Sequence, residues 1–266
     1  PMKAPWGFLA IVVIALAALA LSPLARDISA TAQLQRALGI DVNPLPDFAQ
    51  YSDVRQKKRA FFEYLQPMVR ANNQKLLEER RRLQAMTGTQ SSELGFADKR
   101  LIRNLAEYYE VDAALPMDKQ IQELLLRTDI VPVSLALSQA AMESAWGTSR
   151  FAVEGNNLFG QWCYKAGCGI VPSRRGDGRS HEVARFSDVR AAVASYMRNI
   201  NSHLAYAELR ASRAELRSAG ELITGHDMAK HLLRYSERGQ DYVSEIQSMI
   251  RVNKLSDLDT PSANRI

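Results

Sequence analysis

The sequence predicts a mainly helical α+β fold, on three observations. Amphipathic spacings of three, four and seven recur on both sides of residue 130, a glycine-rich stretch with β-type residues lies at 155–186, and neither alternating βα units nor internal repeats occur. The 266 residues exceed the roughly 100–200 of a typical domain, so a main domain with an extra helical region is expected. Hydrophobic residues at 46% and charged residues at 24% are ordinary globular values and exclude disorder as the default.

The elements follow in chain order. Trp6 to Ala25 is an apolar run interrupted by Ser22 and Pro23 and flanked by Lys3 and Arg26. A run near 20 residues suits a bilayer span, whereas signal-peptide cores are about 7–15; Ala18-Leu19-Ala20 also has the small-x-small form of a cleavage site. Residues 1–26 are therefore expected to be a signal anchor or a cleaved signal peptide, with Asp27 onward outside the cytoplasm. Residues 27–115 are read as a linker and an N-terminal helical region. Pro44 and Pro46 mark residues 41–52 as the linker, and Asp53 to Met86 carries a helical stripe that Pro67 should kink or split. A loop over Thr87–Gly95 precedes a helix over Asp98–Tyr109. The run Arg80-Arg81-Arg82 is read as a solvated helix face.

Residues 116–255 form the expected main domain. Asp118–Arg127 is helical, Pro132 suits a first helical turn, and Ser134–Trp146 continues as a helix ending at Gly147. Loops and a short hairpin are expected over 155–186, then helices at Asp188–Asn201, Arg210–Ser218, after Gly225 through Leu233, and Asp241–Ile250. Residues 256–266 read as a tail.

The net charge of +5 would suit an anionic wall polymer, an acidic lipid surface or nucleic acid. Nucleic acid is disfavoured, because the basic residues are dispersed and no binding motif occurs. Cys163 and Cys168, in an oxidising compartment, read as a small disulfide loop, with free thiols as the alternative. A zinc site would need two further ligands, and the histidines offer none in a recognised pattern; neither metal nor organic cofactor is implied.

Ser138-Gln139-Ala140-Ala141-Met142-Glu143-Ser144-Ala145-Trp146-Gly147 places a carboxylate in the last turn of a helix. There the helix dipole disfavours its ionised form by about 0.3–1 kcal/mol. Burial beside Met142 or Trp146 would act in the same sense and hold a proton near neutrality, the state a general acid for glycosidic cleavage requires. A solvated glutamate in a capping turn is the bland alternative.

These residues, with GNNLFGQWC, resemble the family 73 glucosaminidases, which include flagellar-rod hydrolases and cell-wall autolysins. The resemblance implies a lysozyme-like domain, in which the helix bearing the acid faces a small β-lobe across a cleft. It also implies cleavage of peptidoglycan glycan strands at the β-1,4 bond after N-acetylglucosamine; the N-terminal apolar run places this in the cell envelope, on the periplasmic side of the inner membrane, or free in the periplasm if the signal is cleaved. The family's acid falls on Glu143, in the Glu of A-x-E-S-x-W-G, and Asn157-Leu158-Phe159-Gly160 falls on its cleft-lining N-L-F-G. Asn157 and Gln161 would bind acetamido and hydroxyl groups, and Phe159 and Trp162 would offer ring faces, with core packing the alternative for both aromatics. Tyr196 matches the helix after the β-lobe. Tyr235 matches the first tyrosine of Y-A-T-D-P-x-Y and by that resemblance is a catalytic residue, with a buried structural tyrosine the alternative, although Ser-Glu-Arg-Gly here replaces Ala-Thr-Asp-Pro and one residue is added before Tyr242.

The resemblance also implies a second carboxylate in the β-lobe. Glu182, 182 − 143 = 39 residues after Glu143, is the candidate, with Asp177 as competitor and a surface role as alternative. A separation of about 5–5.5 Å would make it a nucleophile and about 6.5–9.5 Å a base; a third route uses the substrate's own acetamido oxygen. A lytic transglycosylase and a non-catalytic wall-binding scaffold are the competing functions. Protein partners are not legible.

Overall fold

Residue 67 is a proline, yet a single helix runs through it. In the computed structural model, which describes residues 44–173 and 181–260, α1 spans Val54–Ala85 without interruption. Its start is capped by Asp53, whose carboxylate accepts from the Gln56 N–H at 2.8 Å. A mid-helix proline costs about 3 kcal/mol, and here the buried stripe of Phe61, Leu65, Met68, Val69, Leu76 and Leu83 outweighs it. The expected split therefore does not occur.

Two further sequence readings of this region are corrected. The 41–52 segment is not a free linker, because Phe48, in a short 3₁₀ turn over Phe48–Gln50, is 1% exposed and packs edge-on against Phe61 at 5.3 Å. Arg80 is not solvated. Helical spacing places it on the face of Leu76, Leu77 and Leu83, where it is buried and faces Asp129 at 3.4 Å, while Arg81 and Arg82 remain exposed.

Helices α2 (Phe96–Tyr109) and α3 (Met117–Arg127) lead into α4, Val133–Glu143. All residues of α4 from Val133 to Ala141 are buried, as expected of a helix surrounded on every side. Its N-terminus is held by Asp259, whose carboxylate accepts from the Ser134 N–H at 3.0 Å, from the Ser134 hydroxyl, and from the Gly225 N–H at 2.8 Å. Asp259 is thus packed rather than trailing, although Ser256 and Asp257 are exposed; 261–266 lie outside the described residues.

After the short α5 (Arg150–Gly155), a small antiparallel sheet comprises β1 (Trp162–Cys163), β2 (Gly169–Ile170) and β3 (Glu182–Ala184) in the order β1-β3-β2. Gly169 is required there, since a Cβ would lie 1.9 Å from the Val183 carbonyl oxygen. Cys163 and Cys168 are joined in a disulfide. Helices α6 (Val189–Ser202), α7 (Ala207–Ala219), α8 (Gly225–Met228) and α9 (Gln240–Val252) complete the fold, with α1, α8 and α9 packed around α4. The architecture is mainly helical α+β, as expected. No helix among the described residues is long and apolar enough to cross a membrane; the anchor expected over 1–26 lies outside them.

A buried ionic cluster ties the N-terminal helices to the rest. Asp129, between α3 and α4, receives Arg217 through Nε at 2.6 Å and Nη2 at 2.5 Å, as well as Arg80. Arg213, 1% exposed, donates to the Asp129 and Ile130 carbonyls and to Asn201. Burial alone would raise the Asp129 pKa, but the surrounding guanidiniums reverse this and hold it below the usual carboxylate range.

Candidate active site

Helix α4 stops at Glu143, three residues before the end expected from sequence, because Ala145, Trp146 and Gly147 all take positive φ (50°, 61° and 76°). A left-handed non-glycine residue costs about 1–2 kcal/mol, so this turn needs support. Ser144 donates to the Ala140 carbonyl at 2.6 Å and accepts from the Gly147 N–H at 2.8 Å. Trp146 packs edge-on against Phe61 and Phe62, with Lys58 over its ring at 5.0 Å. A Cβ on Gly147 would lie 2.5 Å from the Phe48 ring. Residues outside the main domain thus brace the turn that terminates the glutamate's helix.

Glu143 is half-buried, and burial raises its pKa; a hydrogen bond from Tyr242 and the charge of Arg238 offset this only in part. One oxygen lies against Gly160, where an added Cβ would approach to 3.0 Å and where φ is +63°. Glycine is needed at 160 for both reasons. Behind the carboxyl runs a buried chain: Tyr196 donates to Gln139 at 2.6 Å, Gln139 donates to the Tyr242 hydroxyl at 3.0 Å, and Tyr242 bonds Glu143. Burial pushes the Tyr242 phenol well up, so it stays a donor.

The expected sugar-binding residues divide. Asn157 is 1% exposed and faces the protein, not a cleft. Its amide donates to the Gln161 and Ala184 carbonyls (2.8 and 2.9 Å) and its oxygen accepts from the Phe159 and Gln161 N–H groups, so it knits the loop to β3. Phe159 is also core, stacked on Tyr196 at 4.1 Å and 9°. Tyr196 itself is fully buried and closed to a ligand in this conformation. Gln161 bonds the Ala192 carbonyl and Ser195, although it still lines the cleft. Trp162, for which packing was the alternative, is 50% exposed at the cleft with His181 against its ring.

Tyr235 lines the same cleft, but its hydroxyl donates to the Phe159 carbonyl at 2.8 Å and its ring stacks on Tyr242 at 5.5 Å. Glu182 is buried, accepting from the Gly167 and Gly169 N–H groups at 3.0 and 2.8 Å. It therefore clamps the disulfide loop. Asp177 lies outside the described residues. The Cys163 and Cys168 sulfurs approach a Glu182 oxygen within 4.8 Å, but their disulfide leaves no thiolate for a metal.

The cleft, about 400 Å³, falls within the roughly 300–1,000 Å³ of small-molecule sites. Exposed Tyr164 and buried Tyr206 join Trp162 and Tyr235 on its walls, while Glu143 abuts it through Gly160. Sequence reasoning did not single out Gln139, Tyr206 or Tyr242 as site residues. Gln139 had a signal, since it lies four residues before Glu143 on one helix face. Tyr206 had none.

An aromatic cleft beside a carboxyl group whose pKa is raised by burial has the parts of a carbohydrate-cleaving site. Residues 118–255 match the glucosaminidase family, described as mannosyl-glycoprotein endo-beta-N-acetylglucosaminidase, and the chain belongs to it. Over 211 residues it is 33% identical to Protein bax of Escherichia coli (strain K12), an alignment covering 79% of this chain and 74% of that protein. No solved structure matches the chain.

Proposed function

We propose that the protein is a cell-envelope peptidoglycan hydrolase that cuts the β-1,4 bond after N-acetylglucosamine, with Glu143 as general acid in a lysozyme-like domain. The family match supports the substrate class. The observation that carries the role of Glu143 is its position against Gly160 at the cleft, with its pKa raised by burial and its orientation fixed by Tyr242. In the proposed step Glu143 gives its proton to the glycosidic oxygen as the bond to the anomeric carbon breaks, and Trp162 and Tyr164 provide ring faces for the sugars. The apolar run, flanked by Lys3 and Arg26 and read as a signal anchor or signal peptide, supports delivery to the periplasmic side of the inner membrane.

The bonds made by Glu182 favour a route with one protein carboxylate. Both of its oxygens hold backbone N–H groups of the disulfide loop, and the charged or hydrogen-bonding groups that perturb Glu143 are Tyr242 and Arg238. In that route the substrate's acetamido oxygen attacks the anomeric carbon, and Glu143, now ionised, takes a proton from the water that opens the resulting ring.

The test is digestion of purified walls by wild type and Glu143→Gln, with mass spectrometry of the fragments. Reducing N-acetylglucosamine ends, lost in the variant, are expected. Anhydro-muramic ends would instead identify a lytic transglycosylase, and no release by wild type from walls of varied source would identify a binding scaffold.

A further inference from the structure

The cleft has two chemically different ends. Around Gly160, which touches Glu143, its walls are aromatic: Trp162, Tyr164, Tyr206 and Tyr235. Along α6 the character changes. Ser195 bonds Gln161 next to Gly160, whereas Ser202, also on the wall, lies seven residues further, about 10 Å at 1.5 Å per residue. Between them Arg198 pairs with Glu110 at 3.0 Å and donates to the Tyr108 carbonyl at 2.6 Å.

Glu110 ends α2, outside the 118–255 family match, so the N-terminal helices complete this end of the groove. Its position is fixed by Arg127, whose Nη1 bridges the carbonyls of Tyr109 (2.7 Å), Glu110 (3.2 Å) and Ser202 (3.1 Å). A third charged side chain, Arg234, also lines the groove, is exposed, and makes no ion pair or hydrogen bond with another described residue.

These charges have no partner on the sugars. N-acetylated rings carry no ionised group, and the lactyl carboxyl of muramic acid is an amide wherever a peptide branch is attached. The branch itself carries free carboxylates and an amine. Arginine pairs with carboxylates in bidentate geometry. The Arg198–Glu110 pair is exposed on both sides, and such pairs contribute little to stability, so their charges are available to a ligand.

We propose that Glu110, Arg198 and Arg234, which line the same groove, form a subsite for the peptide branch of the glycan, with Arg198 and Arg234 taking its carboxylates and Glu110 its ammonium group. The proposal rests on the peptidoglycan reading above, which it deepens by making the N-terminal helices part of substrate recognition.

The test uses full-length protein carrying Glu143→Gln, so that ligands are not consumed. Two ligands are compared by calorimetry: the soluble disaccharide bearing its tetrapeptide, and the same disaccharide with the lactyl carboxyl capped as a methylamide. The peptide-bearing ligand is expected to bind about tenfold more tightly, as one or two charge-assisted pairs would give. Adding Arg198→Ala or Arg234→Ala should collapse that ratio toward one. Arg234 is exposed and its replacement by alanine removes no hydrogen bond or ion pair among the described residues, so misfolding would not explain the effect. Equal affinity for the two ligands, or a ratio that survives both arginine substitutions, would overturn the subsite. Wild type that cuts no wall while the ratio holds would instead remove the hydrolase reading and leave the subsite standing; cutting with a ratio of one would do the reverse.

Discussion

A buried aspartate before α4 and a half-buried glutamate at its end have pKa values shifted in opposite directions. Asp129, before α4, is surrounded by Arg80, Arg213 and Arg217, and its pKa is held down. Glu143, at the end of α4, is half-buried, and among the described residues the groups that lower its pKa are the neutral phenol of Tyr242 and the exposed Arg238; its pKa goes up. Burial pushes both groups the same way, so the number and placement of guanidiniums decide the sign. The first site is built to keep a charge and hold helices together, the second to keep a proton and release it.

The sharpest separation of the two comes from removing each ionisable group without changing its shape. Glu143→Gln should lower hydrolysis of wall glycan by about 10²–10⁴-fold or more, since the transferable proton is lost. Its stability should stay level or rise by about 0.5 kcal/mol, because a carboxylate at a helix C-terminus is unfavourable. The pH dependence follows from the raised folded pKa: any stability linked to protonated Glu143 is present below the unfolded value near 4.3 and is lost as pH rises through the folded one. The variant lacks that component. Wild-type rates in the variant would end the comparison.

Asp129→Asn should do the opposite. Leaving buried guanidiniums without their carboxylate costs about 3–5 kcal/mol, read as a lowered urea midpoint, while folded molecules keep their activity. Here the folded pKa is depressed, so the stability from Asp129 is present above the unfolded value near 3.9 and is lost as pH falls through the folded one. A midpoint unchanged from wild type would show that the cluster contributes nothing.

The two sites differ equally in how far sequence reveals them. Periodicity exposes the helices because burial on one face leaves a repeating trace, and a glutamate at a helix end before Trp146-Gly147 is visible in one short window. The left-handed run at Ala145–Gly147 leaves no such trace, since Phe48 and Phe61 impose it from nearly a hundred residues away. Phe159, read as a sugar-facing ring or as core, and Tyr196, read as a ligand, are both buried: an aromatic ring near a cleft motif has the same local signature in either role. The Asp129 cluster is not visible in the sequence, because its members come from α1, α7 and the α3–α4 connection, and Arg80 sits in a run that resembles a solvated face.

A smaller effect probes the partner of Glu143. Tyr242→Phe removes the hydrogen bond that lowers the Glu143 pKa and leaves the Gln139 amide without that acceptor. An unpaired buried amide costs about 1–3 kcal/mol. The basic limb of the activity profile, where Glu143 loses its proton, should move to higher pH even though the maximal rate falls. A limb that stays in place would deny Tyr242 its electrostatic part and leave only a structural one.

The smallest effect concerns Arg238, and it tests whether Glu143 responds to charge at all. Arg238 is exposed and bonded to Glu245, so only part of its positive charge acts on Glu143. It nevertheless lowers the Glu143 pKa. Arg238→Gln should therefore move the basic limb of the pH profile slightly upward, and the Glu245 charge left behind acts in the same direction. Glu245→Gln should move it slightly downward, because Arg238 then acts without a counter-charge. Since Arg238 lies in solvent, raising salt from 0.01 M to 1 M shortens the Debye length from about 30 Å to about 3 Å and should shift the wild-type limb upward. That salt response should shrink in Glu245→Gln/Arg238→Gln. Two single variants that move the limb the same way would show that Glu143 is tuned by burial and Tyr242 alone.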